Sequence, residues 1–432
     1  MVKNKRWIAG ILAMLFLFSL CLVGCDKGNF DAQKRKILHV WHFWEDPESA
    51  FYQDLDTAIK TYESSHPDVV ITPHTLNELD YKAQLATNFN EGGKEIDVFA
   101  FWGGNQIAQL LESGLLMPLN KYLTDDVNQN FLQNGFGAFQ KGDQKYAVPA
   151  YGWVSVLYCN AALFEEHDVP LPTTLDDIVS AADAFSKKGV TPLALGGEDG
   201  WQLDFLFESL LVRSAGAQKV TDFLGGKIEL ADDPAFASAT DLFKSFASNN
   251  VLGKTPTKGD AESADDVFLQ GEAAMRLTGS WLAGRMESMD TTEFLEKVKV
   301  LPFPQVTSET GQPVGMLTEQ VGGFTQSFFV NNRAVHKNEA ADLCLYLSEV
   351  LGNSAEANGL GYSAWIKNNA GASPIREELS TLVKDATMLT PSWDVLVPTG
   401  KVDGYVTAVK EVFIGKITTL EFLNKLKQYV QP

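Results

Sequence analysis

The feature that most constrains this chain is a regular alternation of strand-like and helix-like segments, which begins at residue 37. The run ILHVWHF is strand-like, and residues 49–66 carry apolar side chains at helical spacing before Pro67 ends the segment. Two more pairs follow, VVITPHTL with YKAQLATNFNEGG and IDVFAFW with NQIAQLLESGLL. Strands that alternate with helices predict an α/β fold in which helices flank a mixed, mostly parallel sheet.

The length of the chain predicts two domains rather than one. A second series of elements begins with the long extended run KYAVPAYGWVSVLYCN. A helix follows, with Thr173 or Thr174 as its cap and Gly189 at its end. A chain of 432 residues exceeds what a single hydrophobic core usually serves, so two domains are expected.

Residues 1–24 have the layout of a secretory signal. Lys3, Lys5 and Arg6 precede an apolar run over residues 7–23, and Leu-Val-Gly-Cys closes it at Cys25. That ending resembles a bacterial lipobox, in which the signal is cut before the cysteine and the cysteine carries the lipid. The polar residues after it suit a flexible tether. The alternative is an uncut membrane anchor, since the apolar run is close to spanning length.

The acidic composition excludes one large class of partner. Removing residues 1–24 lowers the 35 basic residues by three against 55 acidic ones, which moves the net charge from −20 to about −23. Nucleic-acid binding needs a basic surface, so no nucleic acid is expected as a partner.

The sequence offers no specific catalytic or metal-binding motif. The six histidines form no HExxH spacing, and GxSxG, a P-loop and GxGxxG are all missing. No enzyme activity, cofactor or metal is therefore predicted, although a glycosidase-type carboxylate pair stays open because acids are plentiful. Outside the signal and lipid site, Cys159 and Cys344 remain; two buried cysteines are favoured over a disulfide.

Tryptophan is placed where polar ligands bind in α/β proteins. Trp41 lies inside the first strand, where packing is the expected role. Most of the other tryptophans follow strand ends or lie in loops rich in Gly, Ser and Pro. Such rings stack on the apolar faces of a sugar, and nearby carboxylates or amides bind its hydroxyl groups. Packing under loops is the alternative for each single ring.

Several segments together resemble a known family. Residues 146–178, YAVPAYGWVSVLYCNAALFEEHDVPLPTTLDDI, resemble the stretch that leads into its second lobe. Gly271-Glu272-Ala273-Ala274-Met275, with Gly279-Ser280-Trp281, resembles its "G-x-A-A-M…G-S-W" motif, the most specific match. On these residues the chain resembles the carbohydrate-binding, maltose-binding-protein-like solute-binding proteins of ABC importers.

Other segments fit the same family, and a few positions depart from its pattern. Residues 96–99 resemble its "PDV" strand and residues 322–324 its return to the first lobe. Glu95 stands where Pro is usual, Cys159 where Tyr is common, Asp168 where Gly is common and Leu175 where Trp is common.

The resemblance implies two α/β lobes of the periplasmic-binding-protein type II fold, joined by crossing strands and closing on a ligand. Crossings are expected near residues 150–154, 316–322 and 372–376. The expected organisation is a signal peptide at 1–24, a lipidated Cys25 and tether at 25–36, lobe one at 37–152 plus 322–373, and lobe two at 153–321 plus 374–432.

The resemblance and the tryptophan pattern together give the candidate ligand-binding residues, which are Trp44, Glu45, Asn77, Asp80, Trp102, Gly103, Tyr151, Trp153, Trp201, Asp204, Trp281, Glu319, Gly322, Gly323, Trp365 and Arg376.

The resulting hypothesis is a monomeric, lipid-anchored binding protein on the outer face of a bacterial cell membrane. It would pass a carbohydrate, with an oligosaccharide favoured by the number of rings, to the permease subunits of an ABC transporter. One alternative is a binding protein for a polyol, glycerol phosphate or a polyamine. A phosphate ligand would need a basic cluster at the strand ends, which the sequence lacks. A secreted glycosidase is the other alternative.

Overall fold

The computed structural model describes residues 35–430, apart from 131, 199, 229–232, 254–258, 290–291, 309–310, 366–372, 394–396 and 398–400. The predicted signal segment, the lipid site at Cys25 and the tether up to residue 34 lie outside the described residues. Among the helices in these ranges, none is both long and apolar enough to cross a bilayer.

Short strands alternate with helices along most of the described chain. The strands are β1 (Lys36–His42), β2 (Val69–Thr75), β3 (Val98–Trp102), β4 (Gln140–Lys141), β5 (Gln144–Lys145), β6 (Tyr151–Asn160), β7 (Thr191–Ala194), β8 (Ala273–Gly279), β9 (Val298–Leu301), β10 (Val306–Thr307), β11 (Pro313–Val314), β12 (Glu319–Val330), β13 (Tyr362–Ser363) and β14 (Met388–Thr390). The three predicted strand–helix pairs at the start of the fold are therefore confirmed.

The α-helices flank these strands. They are α1 (Ala50–Ser65), α2 (Glu78–Asn90), α3 (Ala108–Glu112), α4 (Asp125–Asn128), α5 (Ala161–Glu166), α6 (Leu175–Lys188), α7 (Trp201–Ala215), α8 (Ala217–Leu224), α9 (Pro234–Ser248), α10 (Ala261–Leu269), α11 (Leu282–Ser288), α12 (Thr292–Leu295), α13 (Lys337–Ala357), α14 (Pro374–Asp385), α15 (Val402–Phe413) and α16 (Thr419–Val430). Single 3₁₀ segments span Gly104–Ile107, Asn120–Tyr122 and Gln133–Phe139.

Helix α6 shows how closely local sequence sets an element. Thr174 accepts a hydrogen bond from the backbone of Asp177, whose side chain bonds back to the Thr174 amide, so the helix starts with a capping box. Gly189 ends it in the left-handed conformation at φ 79°, which only glycine adopts without strain. The predicted start and end of this helix are confirmed.

The main sheet has the order β2–β1–β3–β12–β6–β8–β7, with β9 and β13 paired to β6 and β14 paired to β12. β1 is parallel to both β2 and β3, and β7 is parallel to β8. β12 and β6 are antiparallel to each other and to β3 and β8. The sheet is therefore mixed: parallel pairing lies at its two ends and between β12 and β14, and the other pairings of the two long central strands are antiparallel.

The buried side chains form two pairs of clusters on either side of these central strands. One pair collects β1, β3 and the later half of β12 against α1, α2 and α13. The other pair collects β6, β8 and β9 against α6, α7, α9 and the C-terminal helices. The chain thus folds as two lobes, each with a core on both faces of its strands, and β6 and β12 run from one lobe to the other.

The two remaining cysteines are buried and unpaired, one in each lobe. Burial raises the pKa of the Cys159 and Cys344 thiols well above its usual range. The expectation of two inert cysteines packed in the core is confirmed.

Candidate functional site

Several of the predicted residues lie where the central strands leave lobe one. Trp102 ends β3 and pairs with Gln326 of β12, and Gln326 pairs in turn with Tyr151 at the start of β6. The Tyr151 hydroxyl donates a hydrogen bond to the Gln326 side chain. Two residues further along β6, Trp153 pairs with Gly323. The carboxyl ends of β1 to β3 therefore meet the crossing strands at one edge, where α/β sheets bind ligands.

A first group of rings, the lobe-one aromatic cluster, consists of Phe43, Trp44, Tyr81 and Trp102. Phe43 is its centre, stacked on Trp102 with ring centroids 4.4 Å apart and planes 14° from parallel. Its ring also lies 4.5 Å from that of Trp44 and 5.4 Å from that of Tyr81. Phe43 and Trp44 are half-buried, whereas Trp102 is only 8% exposed.

A second group, the lobe-two aromatic cluster, consists of Trp153, Trp201, Phe205 and Trp281. Phe205 stacks on Trp153 at 5.0 Å and 9° and lies 5.1 Å from Trp201 and 6.0 Å from Trp281. Trp281 also contacts Trp153 edge-on at 5.4 Å. Phe205 is buried and the three indoles are half-buried, so the cluster offers partly open rings over a packed base.

The G-S-W motif has a local explanation in this cluster. A Cβ atom at Gly279 would lie 2.0 Å from the Trp281 ring, so glycine lets the indole lie back over the end of β8. Ser280 then extends the strand pairing: its amide donates to the Val154 carbonyl at 2.9 Å, and its hydroxyl accepts from the Val154 amide at 3.3 Å. The motif thus fixes one tryptophan beside the first crossing strand.

Two predicted glycines lie on the second crossing strand. Gly322 has φ +151°, and a Cβ there would lie 2.3 Å from the Trp153 carbonyl oxygen, so the backbones of β12 and β6 approach closely. Gly323 follows at φ +139°. These glycines shape the crossing itself. The amide of Gly103, after β3, donates to the Thr325 carbonyl at 2.9 Å, which ties that loop to the same strand.

Acidic side chains lie near lobe one's strand ends. Glu45 is exposed after β1. Asp80 is exposed and lines an open cavity of about 450 Å³ together with Trp41 and His74. Asn77 caps α2 by accepting from the Asp80 amide at 3.0 Å, and its side-chain amide donates to the Asp80 carboxylate at 2.7 Å. Asn77 thus has a structural role in addition to the predicted one.

Two other predicted residues have partners within the protein. Asp204 is buried and accepts a hydrogen bond from the Tyr405 hydroxyl. The Glu319 carboxylate accepts from the Ala217 amide at 2.9 Å, at the start of α8. Their ligand-binding roles stay predictions, and the contacts observed are structural.

Arg376 connects α14 to two other helices. Its Nε donates to Glu287 of α11 at 2.7 Å, and its Nη2 donates to the Ala357 carbonyl at 3.0 Å, at the end of α13. Trp365 is half-buried, packs against the lobe-one core and donates its backbone amide to the Ser363 hydroxyl at 3.1 Å. For both residues, direct contact with a ligand also stays a prediction.

Three residues of this region were missed in the sequence. Phe43 and Phe205 organise the two clusters, but phenylalanine in a strand or an amphipathic helix is indistinguishable from an ordinary core residue. The spacing of Trp201 and Phe205, one helical turn apart, was the available signal. Lys82 lies with its ammonium 4.0 Å from the centroid of the Trp102 ring, a contact that no local sequence pattern indicates.

One titratable group lies directly beside the lobe-one cluster. His42 is buried, its ring lies 6.0 Å from that of Trp44, and its Nε2 is 3.2 Å from the Thr75 hydroxyl. Burial penalises the charged imidazolium and lowers the pKa of His42 to about 4. The imidazole is therefore neutral at physiological pH.

The chemistry of the site is that of a binding surface. Within the described residues, no three His, Cys, Asp or Glu side chains are arranged to hold a metal ion. What the region does present is half-buried aromatic rings in both lobes, with exposed carboxylates close to one of them. This combination suits a ligand with apolar faces and hydroxyl edges.

Comparison with known proteins supports a common ancestry for most of the chain. The model of the family described as bacterial extracellular solute-binding protein matches residues 45–347. An uncharacterized ABC transporter extracellular-binding protein of Pyrococcus horikoshii is 25% identical over 296 residues, 66% of each chain. The multiple sugar-binding protein of Streptococcus mutans is 23% identical over 349 residues, 78% of each chain. The aligned region covers 50% of the length of the maltotriose-binding protein of Pyrococcus abyssi.

Solved structures share the fold over nearly their whole length. A structure from work on xylan utilization by the thermophilic bacterium Caldanaerobius polysaccharolyticus superimposes with a TM-score of 0.79 at 25% identity, covering 91% of this chain and 99% of the other. A chitin oligosaccharide binding protein gives a TM-score of 0.74 at 22% identity, over 91% and 97% of the two chains.

Proposed function

The chain belongs to the bacterial extracellular solute-binding protein family, and from this premise we propose that it binds a carbohydrate between its two lobes and delivers it to an ABC transporter permease. The observation that carries the proposal is the pair of aromatic clusters, one in each lobe, on either side of the crossing strands. Relatives named for maltotriose and for multiple sugars support the same ligand class.

The chemistry of a sugar matches what each part of the site offers. A pyranose ring has apolar C–H faces, which stack on indole or phenyl rings, and a rim of hydroxyl groups, which bond to carboxylates. The half-buried tryptophans provide the first kind of contact and Glu45 and Asp80 the second. Because rings are available in both lobes, an oligosaccharide that contacts several of them is the favoured ligand.

Calorimetric titration against a panel of ligands tests this proposal. The panel contains xylotriose, maltotriose, cellotriose and triacetylchitotriose, with glycerol 3-phosphate, spermidine and an amino-acid mixture as non-sugar probes. We expect one saccharide to bind with micromolar or tighter affinity and the non-sugar probes not to bind. Binding of spermidine or glycerol 3-phosphate with no saccharide bound would replace the sugar by that solute class.

The same assay addresses a hydrolytic role. A binding protein returns its ligand intact, whereas a glycosidase with a carboxylate pair releases reducing ends. We expect no new reducing ends after prolonged incubation with the bound saccharide. Their appearance would assign the protein to the glycosidases instead.

The proposal includes lipid attachment at Cys25, which would hold the protein on the outer face of the cell membrane. The basis is the sequence of residues 1–25 alone. In a bacterial host, the wild-type protein should fractionate with the membrane, and Cys25→Ala should not acquire lipid. Equal lipid labelling of the two proteins would exclude this cysteine as the site.

The lobe boundaries at 152/153, 321/322 and 373/374 are likewise proposed. The first two are supported by the hydrophobic clusters, which separate at β6 near Tyr151 and Val154 and at β12 near Val321 and Phe324, whereas residues 366–372 before the third lie outside the described residues. A monomer that closes on its ligand should show a smaller radius of gyration by X-ray scattering when saccharide is added. An unchanged radius, or a mass of two chains, would contradict closure or the monomeric state.

A further inference from the structure

Both faces of the Trp102 ring are covered by other side chains. The Phe43 ring is stacked on it at 4.4 Å, and the Lys82 ammonium lies 4.0 Å from its centroid. Since a phenyl ring already occupies one face, the ammonium lies over the other. This agrees with the low exposure of Trp102, 8%, although the residue ends a strand at the edge where the site lies.

The two side chains that cover the Trp102 ring, Phe43 and Lys82, differ in how easily they can move. Phe43 is packed between Trp44, Tyr81 and Trp102. Lys82 has a flexible four-carbon side chain whose backbone is fixed by its neighbours in α2. The hydroxyl of Tyr81 bonds the carbonyl oxygens of Trp41, at 3.2 Å, and Ala100, at 2.5 Å, which locks that helix to β1 and β3. Of these two side chains, the lysine is the more flexible, since its ammonium can change position by rotation about the bonds of its own side chain.

We propose that Lys82 is a specificity-determining residue: its ammonium occupies the stacking face of Trp102, and a saccharide must displace it before the ring can be used. This inference rests on the proposed function, because it takes a sugar as the competitor for the indole face. A ligand that stacks on Trp102 gives up the cation–π contact, which weakens its binding by about two- to fivefold at a partly exposed position.

The displacement has a consequence for selectivity. A saccharide that covers the Trp102 ring poorly gains less from stacking than is lost with the Lys82 cation–π contact. A saccharide whose face fits the ring gains enough to offset that loss. Lys82 therefore discriminates against small or badly oriented ligands at lobe one. The lobe-two cluster has no corresponding cation–π contact among the described residues, so this discrimination belongs to lobe one alone.

The test compares Lys82→Ala with Lys121→Ala. Alanine removes the ammonium together with the stem that could still cover the ring, and it is a good helix former at a position within α2. Lys121 makes a contact of the same kind, 4.5 Å from the Tyr122 ring. That contact is remote from the site, because Tyr122 bonds Asn338 at the start of α13, beyond the far end of β12. Calorimetry with the neutral trisaccharide that the wild type binds should show K82A binding about two- to fivefold more tightly and K121A unchanged.

Equal or weaker binding by K82A would overturn the inference, because Lys82 would then not compete with the ligand. A second measurement needs no ligand at all. Acrylamide should quench tryptophan fluorescence more in K82A than in the wild type, and the increase should vanish when both are compared in a Trp102→Phe background. If no saccharide binds the wild type, the proposed function fails. The quenching result then decides by itself whether Lys82 covers the Trp102 ring. Quenching that does not increase would show that Lys82 does not cover it.

Discussion

The two aromatic clusters are both arranged around a phenylalanine, but they differ in how far their rings are buried. Each is organised by a phenylalanine, Phe43 in lobe one and Phe205 in lobe two. In lobe two the phenylalanine is buried and three half-buried indoles surround it, whereas in lobe one the phenylalanine is half-buried and the stacked tryptophan is covered. Lobe two is therefore built to offer ring faces.

Ionisable groups gather at the lobe-one cluster. Lys82 lies on Trp102 and His42 lies beside Trp44. Of the six histidines, only His167 falls in the part of the chain assigned to lobe two. Under the proposed function, lobe two would supply stacking affinity and lobe one selectivity, and the lowered pKa of His42 places acid sensitivity of folding in lobe one. Three experiments test this contrast between the two lobes.

The largest effect is expected from removing the two central rings. Phe205→Ala should lower the free energy of unfolding by about 3–5 kcal/mol, since a fully buried ring leaves a cavity. Phe43→Ala should lower it by roughly half as much, because that side chain is half-buried. Chemical denaturation of both variants measures the difference. If the two variants lose the same free energy of unfolding, Phe43 and Phe205 are packed equally well. The contrast between a buried phenylalanine in lobe two and a half-buried one in lobe one would then carry no energetic meaning.

The second effect is on the pH dependence of stability. The pKa of His42 is about 4 in the folded protein and near 6.5 when unfolded, so the unfolded chain binds more protons between these values. Stability should therefore fall as pH drops through 6.5 towards 4, by about 3 kcal/mol over the full window and roughly 2 kcal/mol by pH 5.

Two variants assign this loss to its lobe. His42→Gln removes this titrating group and should reduce the fall in stability between pH 6.5 and 5; burial also lowers the pKa of His74, so a smaller part of the fall remains. The matched change in lobe two, His167→Gln, should leave the profile as in the wild type. The assignment of acid sensitivity to lobe one would be contradicted if His167→Gln flattened the pH dependence of stability. It would also be contradicted if His42→Gln left that pH dependence unchanged.

The smallest of the three effects is on ligand affinity. Trp281→Ala should weaken saccharide binding roughly tenfold, about 1.4 kcal/mol, because it removes a ring face that is half-buried and held by the G-S-W geometry. Trp44→Ala should weaken it by less, since that ring is partly used against Phe43 and Phe51. Calorimetry with the bound trisaccharide gives the order.

Tyr346 supplies the control for these affinity measurements. It is a half-buried aromatic residue that packs against Tyr62 of α1, 5.4 Å away, rather than against either cluster. Tyr346→Ala should leave the affinity unchanged. A larger loss from Trp44→Ala than from Trp281→Ala would reverse the roles of the two lobes.

Much of the fold could be predicted from the sequence because its signals are local. The capping box at Thr174, the terminating Gly189 and the alternation of strands and helices each depend on residues close together in the chain. The G-S-W motif is local only in part: its glycine leaves room for the Trp281 ring two residues later, whereas its serine bonds Val154, which is distant in the chain. The local features act through the backbone geometry of neighbouring residues.

The sequence by itself therefore determined the α/β class, the burial of Trp41 and of both cysteines, and most positions of the rings. Only the tertiary structure decided their partners. Phe43 meets Trp102, and Trp153 meets Phe205, through pairings between residues about 50 or more positions apart. Asp204 is held by Tyr405 and Arg376 by Glu287, partners that no local pattern specifies. The physical reason is that strand register and helix docking set which side chains meet, and these depend on the whole core.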